Sequence, residues 1–272
     1  MEKSQRSLSV LTREERIRIL RHIGIKPSPD DIYGRLPSVL KHLPDDWNQE
    51  DSILNMGGEA FLFPIIEQEA LFVRKCYHDL YEIIKKAPIS QSVRIMLTGT
   101  PGIGKSTFLV YFIIRYLYDS TIAPDSSKNP TATFQNDERL VISSGQTRDV
   151  LIFQPAESGD LFYAFAGRDI VRKGTYTDFE AFFLLQTTWY LVDWKPKSKP
   201  KSKAATSLFA LSPNSIRDDD FKDFEKVLDM RLCMPVWTYN ELEKCREYVF
   251  PQLSNKTLNY IYDRVGECQG PV

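Results

Sequence analysis

Side chains that ligate soft metals are scarce in this chain. It has four cysteines, Cys76, Cys233, Cys245 and Cys268, and three histidines, His22, His42 and His78. No two cysteines stand in a C-x-x-C pair, so a zinc site is not expected. Thiols without a pairing pattern point to a reducing compartment. Net charge is nearly absent as well. Lys+Arg number 35 and Asp+Glu 36, leaving −1, which excludes a globally basic nucleic-acid binder but not a local basic patch. Long apolar runs are missing: the longest, Phe108 to Ile114, is too short to span a bilayer. Met1 to Arg21 is charged and interrupted throughout, unlike a secretory leader. These absences predict a soluble intracellular chain with no membrane partner. Against them stands a hydrophobic fraction of 42% in 272 residues, enough for one large domain, or one domain with a small appendage.

The strongest positive signal is Gly99-Thr100-Pro101-Gly102-Ile103-Gly104-Lys105-Ser106, followed by Thr107. It matches G-x-x-x-x-G-K-[ST], the P-loop. Successive backbone N–H groups can curl around a phosphate only where glycine permits unusual backbone angles. A helix starting near Lys105 would add its positive N-terminal end. Lys105 would reach the β- and γ-phosphates, and the Ser106 hydroxyl would hold Mg²⁺. The alternative is a glycine-rich turn that matches by chance. Context favours the motif: Ser92 to Thr98 reads as a buried strand, and Thr107 to Tyr118 as a helix with Phe108, Leu109, Phe112, Ile113, Tyr116 and Leu117 on its apolar face.

Upstream, the first 90 residues read mainly as helices without evident chemistry, a cover or a docking surface. Thr12-Arg13-Glu14-Glu15 forms a capping box with Gly24 as stop, Leu36 to Leu43 a short helix, Asn55 to Gly58 a turn, and Glu67 to Lys86 one long amphipathic helix. Downstream, residues 119–138 read as a loop rich in Ser, Thr, Asn, Asp and Pro. Strand-like runs follow at Leu140 to Ser143, Val150 to Gln154 and Leu161 to Ala166, then a helix over Asp178 to Thr187. Alternating strands and helices predict an α/β sheet.

Trp189-Tyr190-Leu191-Val192-Asp193 is an apolar run ending in an acid. P-loop proteins place such an aspartate near Mg²⁺, and many ordinary buried strands also end in Asp. The residue after it, where many ATPases carry a water-polarising glutamate, is Trp194. Nucleotide binding is therefore better founded than hydrolysis. Ser207 to Ser212 reads as the next strand, running into Pro213-Asn214. Ser212 and Asn214 are candidates for a γ-phosphate sensor of the AAA-like kind, or simply turn chemistry. Between these strands, residues 195–203 hold five lysines in nine residues and no acid. The run reads as a solvated insertion. Its second reading is contact with nucleic-acid phosphates, without sequence preference, or with a nuclear partner. Arg217 to Met230 reads as a helix whose leading Asp218, Asp219 and Asp220 suit its dipole without a metal. Thr238 to Glu241 caps a helix through Leu242 to Tyr248, and Leu253 to Val265 reads as another.

Together, Leu97 to Ser106, Trp189 to Asp193, Leu211 to Asn214 and Arg264 to Pro271 resemble the ATPase domain shared by Crinkler effectors and retrotransposon hot spot proteins. The resemblance covers about residues 70–272. It implies an α/β P-loop NTPase, AAA-like or STAND-like, with a mainly parallel sheet, a helical N-terminal cover (1–90), a core (91–230) and a small, partial helical lid (231–272). It implies ATP and Mg²⁺ as cofactors. Gly99, Thr100, Pro101, Gly102, Ile103, Gly104, Lys105, Ser106 and Thr107 carry over as the phosphate site, and Ser106 and Asp193 as metal ligands. Lys105, Asp193 and Asn214 carry over as candidate catalytic residues. ATP over GTP rests on the resemblance, since no Asn-Lys-x-Asp signature is present. Family members often act in a nucleus beside an effector domain. Two features depart from the pattern: no Crinkler-type leader is legible, and the chain ends at Val272, where such lids go on to a basic residue. A homo-oligomer is compatible with these residues, and none of them fixes one. Three functions stay open: a Mg²⁺-dependent ATPase module, a nucleotide-gated switch with little turnover, and, more weakly, a small-molecule kinase, for which Arg231, Arg246 and Arg264 are too scattered.

Overall fold

A computed structural model describes residues 8–43, 47, 52–55, 63–64, 67–122, 148–156, 159–193, 204–211 and 226–265. The expected strand over Leu140 to Ser143, Trp194, the 195–203 lysine run, Ser212, Asn214, Asp218 to Asp220 and the Gly266 to Pro271 segment lie outside these residues.

Nine strands and six α-helices are named here in chain order: α1 (Arg13–Leu20), β1 (Ile53–Asn55), β2 (Ala70–Phe72), α2 (Lys75–Lys85), β3 (Arg94–Thr98), α3 (Lys105–Ile122), β4 (Val150–Gln154), β5 (Leu161–Ala166), β6 (Ile170–Thr175), α4 (Tyr176–Phe183), β7 (Thr188–Asp193), β8 (Thr206–Ala210), β9 (Met230–Cys233), α5 (Tyr239–Val249) and α6 (Asn255–Val265). The seven strands from β3 to β9 form one sheet in the order β6-β5-β4-β7-β8-β3-β9. All pairings from β4 to β9 are parallel, and β5 and β6 add an antiparallel margin. The chain is therefore α/β with a mostly parallel central sheet.

Parallel strands covered on both faces read as apolar runs, and β4, β7 and β8 do so. Side chains alternate across the sheet. Trp189, Leu191, Ile95, Leu97, Leu208 and Ala210 join one core cluster with α2 and α3. Tyr190, Val192, Met96 and Phe209 join the other with α4 and Leu20 of α1. Three layers result. α3 is the inner helix of its layer, with Phe108 through Ile114 all buried. It sets Phe112 edge-on to Trp189, with ring centroids 5.3 Å apart, and carries α2 and the 3₁₀ turn Leu36–Lys41 on its back.

Four expectations need correction. The loop expected over 119–138 opens inside α3, which runs to Ile122, and its remainder lies outside the described residues. The helix read over Glu67 to Lys86 starts only at Lys75, because Ala70–Phe72 pairs antiparallel with Ile53–Asn55. A nonlocal ladder overrides helical periodicity there, and Asn55 belongs to a strand, not to a turn. Met230, read as the end of a helix, opens the edge strand β9 beside β3. α4 starts two residues before the expected Asp178, at Tyr176, because Asp178 serves as the far half of a capping box with Thr175.

Candidate functional site

Because β3, β7, β8 and β9 run parallel, their carboxyl ends share one edge of the sheet. Ligands of open α/β sheets bind beyond that edge. The register sets who meets whom: Asp193 lies opposite Ala210, Ala210 opposite Leu97, and Leu97 opposite Leu232. Two residues after Leu97 the glycine-rich loop begins. It spans the gap to Lys105, the first residue of α3, so strand, loop and helix follow one another as the sequence predicts.

The loop owes its path to glycine. Gly102 has φ +76° and Gly104 φ +102°, a region that residues with a Cβ rarely enter. A Cβ on Gly104 would also stand 2.5 Å from the Tyr77 hydroxyl oxygen. Gly104 acts as the helix cap: its carbonyl accepts the Phe108 N–H at 2.8 Å and the Tyr77 hydroxyl at 3.0 Å. The first N–H groups of α3 have no partner within the helix and point toward the loop, where the helix dipole adds positive potential.

Lys105 is buried, with 8% of its surface exposed. Its ammonium donates to the carbonyls of Gly99 at 2.8 Å and Thr100 at 3.0 Å. Burial pulls its pKa below the ordinary lysine value, and the nearby Asp193 and Cys233 act in the opposite sense. Ser106, one residue on, donates from its hydroxyl to Asp193 Oδ1 at 2.8 Å across 87 positions of sequence. The strand alternation explains the meeting. Trp189 and Leu191 face α3, so Asp193, next in phase, also faces α3 and reaches its first turn. Thr107 follows, half-buried, and Thr100, Pro101 and Gly102 are exposed. The structure thus brings Gly99 through Thr107 together with Asp193.

Serine and aspartate oxygens side by side are a donor set suited to a hard cation such as Mg²⁺, which takes one or two protein oxygens and keeps water or phosphate on its other positions. The loop amides and Lys105 fit an anion. Among the described residues no group of three or more His, Cys, Asp and Glu side chains clusters as a metal site. None of their helices is long and apolar enough to cross a membrane.

Sequence reasoning missed the residues that brace the loop from behind. Arg74 caps α2, is fully buried, and uses its guanidinium as a hub. It donates to the Ile103 carbonyl at 3.1 Å, to the Pro235 and Val236 carbonyls at 3.1 and 3.0 Å, and to both Glu241 oxygens at 3.1 Å. It also stacks on the Trp237 ring at 4.2 Å, and the Trp237 indole N–H donates to the same Ile103 carbonyl at 3.1 Å. The signal was faint. Arg74 closes an apolar run, Ala70 to Val73, and Glu241 was already accounted for by its capping box with Thr238.

Comparison with models of known protein families finds no match to this chain, and neither does a search of the curated proteins.

Proposed function

We propose that this chain binds a nucleoside triphosphate with Mg²⁺ through a P-loop at residues 99–107, in the manner of the P-loop NTPase domain it resembles. One observation carries the reading: Ser106 and Asp193, read from the sequence as the metal-side hydroxyl and acid, share a 2.8 Å hydrogen bond at the start of α3. Chance explains a glycine-rich octapeptide more easily than it explains that octapeptide aimed at the one acid the motif requires.

In this reading the amides of the loop and the first turn of α3 donate to phosphate oxygens. Lys105 supplies a buried positive charge to offset charge developing on the transferred phosphoryl group. Ser106 Oγ and Asp193 supply oxygens to the cation. Mg²⁺, when bound, contributes Lewis-acid neutralisation of the phosphate oxygens. Ser212 and Asn214, which follow β8 in the sequence, remain the candidates for reading the γ-phosphate. ATP is the nucleotide the resemblance favours. Nucleic acid or a nuclear partner at the 195–203 lysines, nuclear residence and self-association extend the same resemblance and the lysine pattern. Membership of the Crinkler and retrotransposon hot spot group is part of this proposal.

A second reading has an observation of its own. Trp194 stands where a water-polarising glutamate would follow Asp193, and this favours a nucleotide-gated switch with little turnover. Purified wild-type chain and Lys105→Ala are to be compared for binding of Mg·ATP and for phosphate release. We expect binding that weakens at least about tenfold in the variant, the loss of one charge-assisted contact or more. Release above the variant's background supports the ATPase. Binding without release supports the switch, and no binding by wild type overturns both.

A further inference from the structure

We infer that Arg74 and Glu241 form a positioning pair that couples the seating of α5 to the shape of the glycine-rich loop. This deepens, and rests on, the nucleotide-binding reading of that loop. The geometry is specific. Arg74 sits at the junction of β2 and α2 yet spends none of its donors there. One terminal nitrogen holds the carbonyl of Ile103, the residue between Gly102 and Gly104, both at positive φ. The other holds the Pro235 and Val236 carbonyls, in the segment leading from β9 to α5, and Glu241 Oε2. Nε closes the fork on Glu241 Oε1. The guanidinium therefore ties loop, connector and helix at one point, and Trp237 doubles the tie by donating to Ile103 from the connector.

The fork makes this a two-ended device and not a plain packing contact. Arginine presents planar donors in fixed directions. If Glu241 leaves, the guanidinium loses its one carboxylate partner among the described residues and must reorganise within a fully buried setting. The donor on Ile103 turns with it. The Ile103 carbonyl and the Gly104 N–H are the two ends of one planar peptide unit and turn together. A change in α5 docking thus rotates amides of the loop. By linkage, whatever fixes the loop must in turn favour the docked α5.

Glu241 has a second job that the test must separate. It accepts the Thr238 N–H at 2.9 Å in the capping box of α5, while the Thr238 hydroxyl accepts the Glu241 N–H. Thr238→Ala removes the capping hydroxyl and leaves the Arg74 fork. Glu241→Gln removes the charge that faces Arg74. Glu241 is partly exposed, 15% for its side chain, so both variants are expected to fold. Amide hydrogen exchange of the full chain without nucleotide is the first measurement. In Glu241→Gln, exchange is expected to rise about fivefold or more in both 99–106 and 239–249, the lower end of ordinary coupling. In Thr238→Ala it rises in 239–249 alone. A rise confined to 239–249 in both variants overturns the coupling and leaves a helix cap.

Mg·ATP titration is the second measurement. With a wild type that binds, Glu241→Gln is expected to raise Kd about tenfold, and nucleotide is expected to protect 239–249 in wild type but not in the variant. Equal Kd values overturn the coupling while the nucleotide reading stands. A wild type that fails to bind overturns the nucleotide reading, and the exchange comparison still decides whether loop and α5 move together.

Discussion

At the residue scale, the three loop glycines are not equivalent, and the structure ranks two of them. Gly102 combines φ +76° with open space around its absent Cβ, whereas Gly104 combines φ +102° with a Tyr77 oxygen at 2.5 Å. Gly102→Ala is expected to cost about 1–2 kcal/mol, the penalty of a left-handed backbone. Gly104→Ala is expected to exceed it, because backbone strain of about 1–3 kcal/mol adds to the clash with a buried phenol. Denaturant unfolding of both variants checks the order. Adding Tyr77→Phe to Gly104→Ala removes the clashing oxygen and leaves the φ strain, so the double variant should recover part of the loss. Complete recovery would show that the backbone angle costs nothing here. Gly99 and Gly104 are legible in the sequence because they fall at motif spacing, whereas Gly102 stands at a position where the motif accepts any residue. Tyr77 is not legible: from sequence it is one aromatic on an amphipathic helix, and only the packing of α2 behind the loop places its hydroxyl on the Gly104 carbonyl.

At the element scale, α1 is held to the start of β4 by charge as well as by apolar contact. Asp149 is buried, accepts from Arg16 Nε at 2.8 Å and from a second Arg16 nitrogen, and lies 3.6 Å from Arg13 Nε. Burial raises the Asp149 pKa above the ordinary aspartate value of 3.8, and the arginines only partly oppose it. A raised carboxyl pKa means that the contribution of this group is fully present below the unfolded value and is lost as pH climbs through the folded one. Arg16→Ala removes both hydrogen-bonded nitrogens and leaves the buried carboxylate the longer Arg13 contact at 3.6 Å. It is expected to destabilise by about 3–5 kcal/mol at pH 7, with a penalty that shrinks toward acid as Asp149 takes up its proton. Unfolding free energies measured from pH 7 to pH 4.5 or about there check this, and a penalty independent of pH would assign the loss to packing. Legibility at this scale follows where the forming energy resides. α3, β7 and β8 are apolar runs that announce themselves, and α5 carries its own capping box. β2, β6 and β9 were missed because pairing makes them. β2 exists through Ile53–Asn55, and β9 is an edge strand whose outward Arg231 and Cys233 are exposed. β6 puts polar Arg172 and Lys173 between Val171 and Gly174 and is fixed by β5 on one side and a bridge to Ile25 on the other.

At the scale of the whole molecule, an α/β chain could be read from alternating strand and helix signals, but the strand order could not. β4, β7 and β8 are buried and largely apolar on both faces, so nothing within β7 says that β8, and not β3, lies next to it. That order is nevertheless what aims Asp193 at Ser106, with β8 interposed and the register running from Asp193 through Ala210 to Leu97. It also grades stability. β7 and β8 are paired on both edges and buried throughout or nearly so, whereas β9 has β3 as its one partner among the described strands and alternates half-buried with exposed residues. Backbone amides open with free energies that follow such differences, from near zero at frayed margins to the global value in the core. Native-state hydrogen exchange in low denaturant should therefore find β7 and β8 opening only with global unfolding, at the free energy that denaturant melting gives. β9 should open earlier, at a free energy lower by about 1 kcal/mol or more. Since Met234 N–H continues the β9 ladder onto the Thr98 carbonyl at 2.9 Å, directly before Gly99, early opening of β9 would loosen the root of the loop while the strand bearing Asp193 stays in place. β9 amides as protected as those of β7 would contradict that division, and would make the edge as rigid as the centre of the sheet.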